Sequence, residues 1–201
     1  AFMVSMAGIG IKGVDVIKKQ NSSILKKSNM PDDQYKALIA LYFGLFDKVY
    51  AQDLNKNLDL KTNFIKWKST LPKALIDTMQ LNEGQAGEEM INSFISTVSL
   101  PWMRYFIRYN PETIISKIKI PVLAINGSKD IQVSATENLA GFERLLKKAG
   151  NKDFKTQELP GLNHLFQTAE TGNLDEYARI DETISPAVLQ IITDWVKRQV
   201  K

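Results

Sequence analysis

The chain has a single histidine, His164, within Glu158-Leu-Pro-Gly-Leu-Asn-His164-Leu-Phe166. Upstream lies Ile125-Asn-Gly-Ser-Lys-Asp130-Ile-Gln-Val133, which places an acid 34 residues before the histidine. An imidazole is the side chain best suited to move protons near neutral pH. A carboxylate beside it fixes the tautomer and stabilises the imidazolium, as acyl transfer requires. Asp130 and His164 are therefore the candidate acid and base. Glu158 and Asp153 compete for the acid role, but they fall in or before a strand pattern rather than after one. The nucleophile is not evident. No Gly-x-Ser-x-Gly occurs in residues 1–201, and Ser5, Ser128 and Ser134 lack the strained strand-to-helix turn that exposes a reactive hydroxyl.

The elements that must hold this pair can be read from periodicity. Ile120-Pro-Val-Leu-Ala-Ile125 is a short continuous apolar run, the pattern of a strand buried on both faces. Ser134 and Glu137 suggest a capping box for a helix whose apolar face is Leu139, Phe142, Leu145 and Leu146, ended by Gly150. Phe154–Leu159 reads as an outer strand. Ser185-Pro186 opens a last helix with the stripe Val188, Leu189, Ile192, Trp195 and Val196. This βαβα order implies parallel strands. In such a sheet, loops at the carboxyl ends of strands meet over one crevice, so Asp130 and His164 are expected on neighbouring loops.

Before that region the signal is helical. Tyr35, Leu38, Ile39, Tyr42, Leu45, Phe46 and Val49 recur at helical spacing. Phe64, Trp67 and Leu71 continue the period to Pro72, with Leu75 and Met79 extending it past a kink. Met90, Ile91, Phe94, Ile95 and Val98 mark a further helix ending near Pro101, and Asn110-Pro111 reads as a helix start. Residues 1–8 read as a buried strand, and so abrupt an opening suggests a piece of a larger sheet rather than a signal peptide.

Composition narrows the chemistry. There is no cysteine, which excludes disulfides, thiol catalysis and thiolate metal sites, and one histidine excludes a multi-histidine zinc site. Zero cysteine fits cytoplasmic and extracytoplasmic compartments alike. No run of apolar residues is long enough for a membrane helix. The net charge of +4 is uneven, with twelve lysines against six aspartates in residues 11–75. Those lysines are scattered on helical patterns without a stripe of interleaved aromatics, which argues for solvated faces and against a nucleic-acid surface.

The stretch Pro121–Phe166 resembles the carboxyl-terminal part of the α/β-hydrolase superfamily: a strand, Gly127-x-x-Asp130-x-x-Val133, a helix, a strand and a Gly161-x-x-His164 loop. The order acid then histidine is the one that family uses. Pro101-Trp-Met-Arg-Tyr-Phe106 with Tyr109-Asn-Pro111 resembles the preceding segment in serine esterases near the serine aminopeptidase-like and dienelactone hydrolase-like branches. The resemblance implies an α/β fold holding the last three parallel strands of the hydrolase sheet. Residues 1–10 would be a core strand, 11–113 an all-helical cap and 114–201 the end of the core. It implies Asp130 and His164 as triad members, with the serine and oxyanion hole upstream of Ala1. Trp102, Arg104 and Tyr105 are candidates for substrate contact, against a plainer role in packing and ion pairing.

The expected function is hydrolysis of a carboxylic ester, with thioesters or short acyl-peptides as further substrates, and residues 1–201 alone inactive. No cofactor or metal is implied. The partner is a small ester or acyl substrate, with no nucleic acid and no membrane. An unpaired Phe2–Ala7 edge would invite self-association or pairing with an upstream strand. The rival from another class is a non-catalytic binding or interaction protein on the same scaffold.

Overall fold

The computed structural model describes residues 1–51, 59–82 and 86–200. Residues 52–58 and 83–85 of the expected cap lie outside them. In chain order, β1 (Met3–Met6) is followed by α1 (Gly13–Lys27), α2 (Asp32–Ala51), α3 (Leu60–Lys68), α4 (Lys73–Thr78), α5 (Ala86–Ser99), α6 (Pro101–Arg108) and the short α7 (Glu112–Ile115). Then come β2 (Val122–Gly127), α8 (Ala135–Lys148), β3 (Phe154–Leu159), a 3₁₀ helix at Leu174–Arg179 and α9 (Pro186–Gln199). None of the helices is long and apolar enough to cross a membrane among the described residues.

The chain divides into two compact units, residues 1–24 with 110–201, and residues 25–109. This division differs from the boundaries expected at residues 10/11 and 113/114. The start of α1 belongs to the sheet unit because its approach is fixed there. Gly10 N–H donates to the Asn138 side chain at 2.9 Å, and Lys19 pairs with Glu137 of α8. A Cβ on Gly10 would sit 2.7 Å from the backbone nitrogen of Phe142, so only glycine allows the contact.

The sheet unit has three parallel strands in the order β1-β2-β3, paired from Met3↔Val122 to Met6↔Ile125 and from Val122↔Phe154 to Gly127↔Leu159. Strand alternation sends the side chains of β2 to two cores. Val122 and Ala124 pack with Phe142, Leu145 and Leu146 of α8. Leu123 and Ile125 pack with Val188 and Trp195 of α9. The sheet is thus covered on both faces, which explains the unbroken apolar run of β2. β1 is less enclosed than its sequence suggests, with Phe2 and Met6 exposed. Among the described residues it pairs only with β2 and so lies at the margin of the sheet.

Several local readings change in detail. Gly150 does end α8, in a left-handed turn (φ 67°), with Gly150 N–H bonded to Lys147 O and Asn151 N–H to Leu146 O. That paired closure is the Schellman motif. The capping box is altered. Ser134 is the N-cap, but its hydroxyl donates to the Glu137 carboxylate instead of accepting from the helix backbone. Pro72 separates α3 from α4 outright, since its extended backbone (ψ 142°) cannot continue a helix. In α9 the stripe is narrower than expected, because Leu189 is 49% exposed while Val188 and Trp195 are buried.

The helical unit is built from α2, α3, α5 and α6. Phe46 and Phe94 meet in a tilted pair, ring centroids 5.1 Å apart, beside Tyr42. Trp67 donates its indole N–H to Ala37 O at 3.1 Å, tying α3 to α2.

Candidate active site

β2 and β3 end in register, Gly127 opposite Leu159, so their loops leave the same edge of the sheet side by side. Ser128 N–H continues the ladder by donating to Leu159 O at 2.9 Å, and Lys129 N–H donates to Leu162 O at 2.9 Å. Gly161 N–H in turn donates to the Ser128 hydroxyl. The loops touch most closely at Gly127, where a Cβ would overlap the carbonyl oxygen of Leu162 and lie 2.6 Å from that of Asn163. Gly127 is therefore required by the loop that carries the histidine.

This stitching brings Asp130 and His164 together. His164 Nδ1 lies 2.8 Å from Asp130 Oδ2, with the carboxylate side chain wholly buried and the imidazole 28% exposed. Asp130 Oδ1 accepts from the backbone N–H groups of Gln132 and Val133, each at 2.8 Å. Oδ2 also accepts from the Asn126 amide at 3.2 Å. An ionised carboxylate accepts from all of these donors and still has a lone pair for an imidazole N–H. With the carboxylate as acceptor, the proton of a neutral imidazole is assigned to Nδ1, which leaves the lone pair on Nε2. Nε2 has no protein partner among the described residues. Nε2 is thus the nitrogen left to take a proton.

The histidine loop is held from within by Asn163, whose side chain could be expected to bond the loop backbone, and by Phe166. Asn163 is fully buried; its side-chain oxygen accepts from the backbone of Leu165 and Gln167, and its amide donates to the Gln167 side chain at 2.9 Å. Phe166 adopts a left-handed conformation (φ 60°), costly for a non-glycine residue. Its side chain is buried in the α9-side core, and its backbone bonds to Asn163 and Ser185 on either side. Nothing in composition or periodicity marks such a turn.

Comparison with known protein families, curated proteins and solved structures finds no match. The chemistry of the site therefore rests on its own geometry.

Tyr177, in the 3₁₀ helix, is a site residue that the sequence did not reveal. Its hydroxyl accepts from Gln132 Nε2 at 3.2 Å and also meets the backbone of His164. Burial pushes its phenol above the ordinary value, and the hydrogen bonds from Gln132 and the His164 backbone offset part of that. One hydroxyl thus braces the acid loop against the base loop. The same excursion is fastened by Lys129, whose ammonium donates to Ala169 O and, at 2.7 Å, to Glu170 O. Glu176 closes the turn by accepting from Thr171 and Gly172, and the Thr171 bond is the main reason its carboxyl lies below the usual range.

Among the described residues no hydrogen bond joins Ser5, Ser128 or Ser134 to the imidazole. Ser5 lies within β1, the Ser128 hydroxyl is bonded to Gly161 N–H and the Ser134 hydroxyl to Glu137. Trp102, Arg104 and Tyr105 lie on α6 in the other unit. Arg104 donates from Nε to Val98 O at 3.2 Å, closing the end of α5. Trp102 and Tyr105, three residues apart on one helix face, are 60% and 68% exposed. They are not packing anchors of their unit.

Proposed function

We propose that the protein is a serine hydrolase of the α/β-hydrolase type acting on a carboxylic ester, with thioesters and short acyl-peptides in the same substrate class. The observation that carries the reading is the buried, fully bonded Asp130 carboxylate on Nδ1 of the only histidine, at the carboxyl edge of a parallel sheet. His164 Nε2 takes the proton of a serine hydroxyl as that oxygen attacks the acyl carbon, then returns it to the departing alcohol. Asp130 holds the ring in the required tautomer and stabilises the imidazolium. The serine and oxyanion donors come from a segment preceding Ala1, whose strand pairs with the free edge of β1. In this reading the helical insertion, residues 11–113, is the cap.

The test is esterase assay on p-nitrophenyl esters of graded chain length, using the protein extended upstream to include a Gly-x-Ser-x-Gly segment. His164→Ala is expected to lower kcat by roughly 10⁴-fold or more. Undiminished turnover in that variant would remove His164 from the mechanism and refute the reading; no serine motif upstream would refute it in favour of the non-catalytic alternative.

A further inference from the structure

The helical unit holds a cavity of about 400 Å³ between α3 and α5, open to solvent on one side. That lies within the usual range for small-molecule sites. Lys61, Phe64, Ile65 and Lys68 line it from α3, at the i, i+3, i+4, i+7 spacing of one helix face. Leu81 and Ile91, both almost wholly buried, line it beyond Phe64. Gly87 lets α5 come this close, since a Cβ there would stand 3.1 Å from Leu81 Cα. Ile65 at the lining is 63% exposed, so its side chain is available to a ligand in the cavity.

The charges around this cavity are unequal. Lys61 and Lys68 flank the apolar stretch of α3, and neither forms an ion pair among the described residues. Glu88 on α5 is the opposing carboxylate. Seven residues of helix separate the lysines by about 10 Å along the axis, within reach of two flexible stems that can turn toward one head group.

We propose that this cavity binds an anionic amphiphile, its alkyl chain lying between α3 and α5 and its carboxylate meeting the lysines of α3. The apolar lining selects the chain, and the unpaired ammonium groups select the head. Every residue involved lies in 61–92, so the inference stands apart from the Asp130–His164 chemistry.

The test is calorimetric titration of the 201-residue protein with laurate below its micelle concentration, with dodecyl maltoside and dodecyltrimethylammonium as uncharged and cationic probes of equal chain length. One saturable laurate site is expected. The uncharged probe should bind at least fivefold more weakly, and the cationic one more weakly still. Lys61→Gln with Lys68→Gln should weaken laurate at least fivefold at low ionic strength, an effect that fades with added salt. Ile65→Asp, at an exposed position that leaves the helices intact by circular dichroism, should weaken it about tenfold. Glu88→Gln should tighten it slightly. Failure of laurate to saturate, equal binding of the uncharged probe, or unchanged laurate binding in the lysine pair or in Ile65→Asp would overturn the proposal. Because binding is read without turnover, this outcome is independent of whether the protein is a hydrolase.

Discussion

Asp130→Asn tests the acid–base pair directly. The substitution keeps shape and exchanges one carboxylate oxygen for an NH₂ group. The remaining oxygen stays with the backbone N–H groups of Gln132 and Val133, whose 2.8 Å bonds anchor it. The new NH₂ then faces two donors, the Asn126 amide and His164 Nδ1–H. A bond to a charged acceptor contributes about 1.5–3 kcal/mol, and the 3.2 Å Asn126 bond falls at the low end. The ring can recover one neutral bond of about 1 kcal/mol by moving its proton to Nε2 and accepting at Nδ1. The net loss is about 2–3 kcal/mol, a large share of the stability of an ordinary domain. Urea unfolding followed by circular dichroism measures it. The chain has one imidazole, so a long-range ¹H–¹⁵N spectrum in mildly alkaline buffer reports its tautomer without assignment. The native protein should show the proton on Nδ1 and Asp130→Asn on Nε2. A native imidazole protonated on Nε2, or a tautomer unmoved by the substitution, would refute the pairing and with it Nε2 as the proton acceptor.

Gly127→Ala should displace the histidine loop, because the added methyl meets the carbonyls of Leu162 and Asn163; a loss of about 3 kcal/mol in urea unfolding and a shifted imidazole resonance are expected. Tyr177→Phe removes only the hydroxyl between Gln132 and the His164 backbone; stability should fall by about 1 kcal/mol while the imidazole signal broadens, and an unchanged spectrum would deny it a bracing role. The Lys19 hydrogen bond, with a further one from Ser134, holds the Glu137 carboxyl below its ordinary 4.5. A depressed acid stabilises the fold above its unfolded value, and that contribution disappears as pH falls through the folded value. Acid titration of stability should therefore be flatter below pH 4.5 in Lys19→Met than in the native chain.

The sheet unit was legible because its signals are local and concordant. The run Val122–Ile125, the Gly150 stop and Ser185-Pro186 each mark a boundary by backbone chemistry, and the acid and base follow as the polar residues just beyond two strand ends. What escaped notice depends on tertiary partners. Ser134 and Glu137 have the spacing of a capping box, yet Lys19, 118 residues away, draws the carboxylate aside. Pro72 could bend or end a helix, and only its neighbours decide. Phe166 carries no mark of a left-handed turn, since the core that seats its ring and the bonds from Asn163 and Ser185 impose the conformation. Tyr177 lies in an irregular segment with no period to place its hydroxyl beside two loops.

Gly127, Ser128 and Lys129 have one further consequence. Their bonds run straight from the strand ladder into the histidine loop, so Asp130 and His164 share the cooperativity of the sheet itself. The amides of these loops should exchange with solvent only when β2 and β3 open together. The pair is then expected to open only with the sheet, and protection of these amides well below that of β2 would refute the coupling. The pair's geometry is set when the domain folds, and control of any reaction there must act on whatever approaches the imidazole.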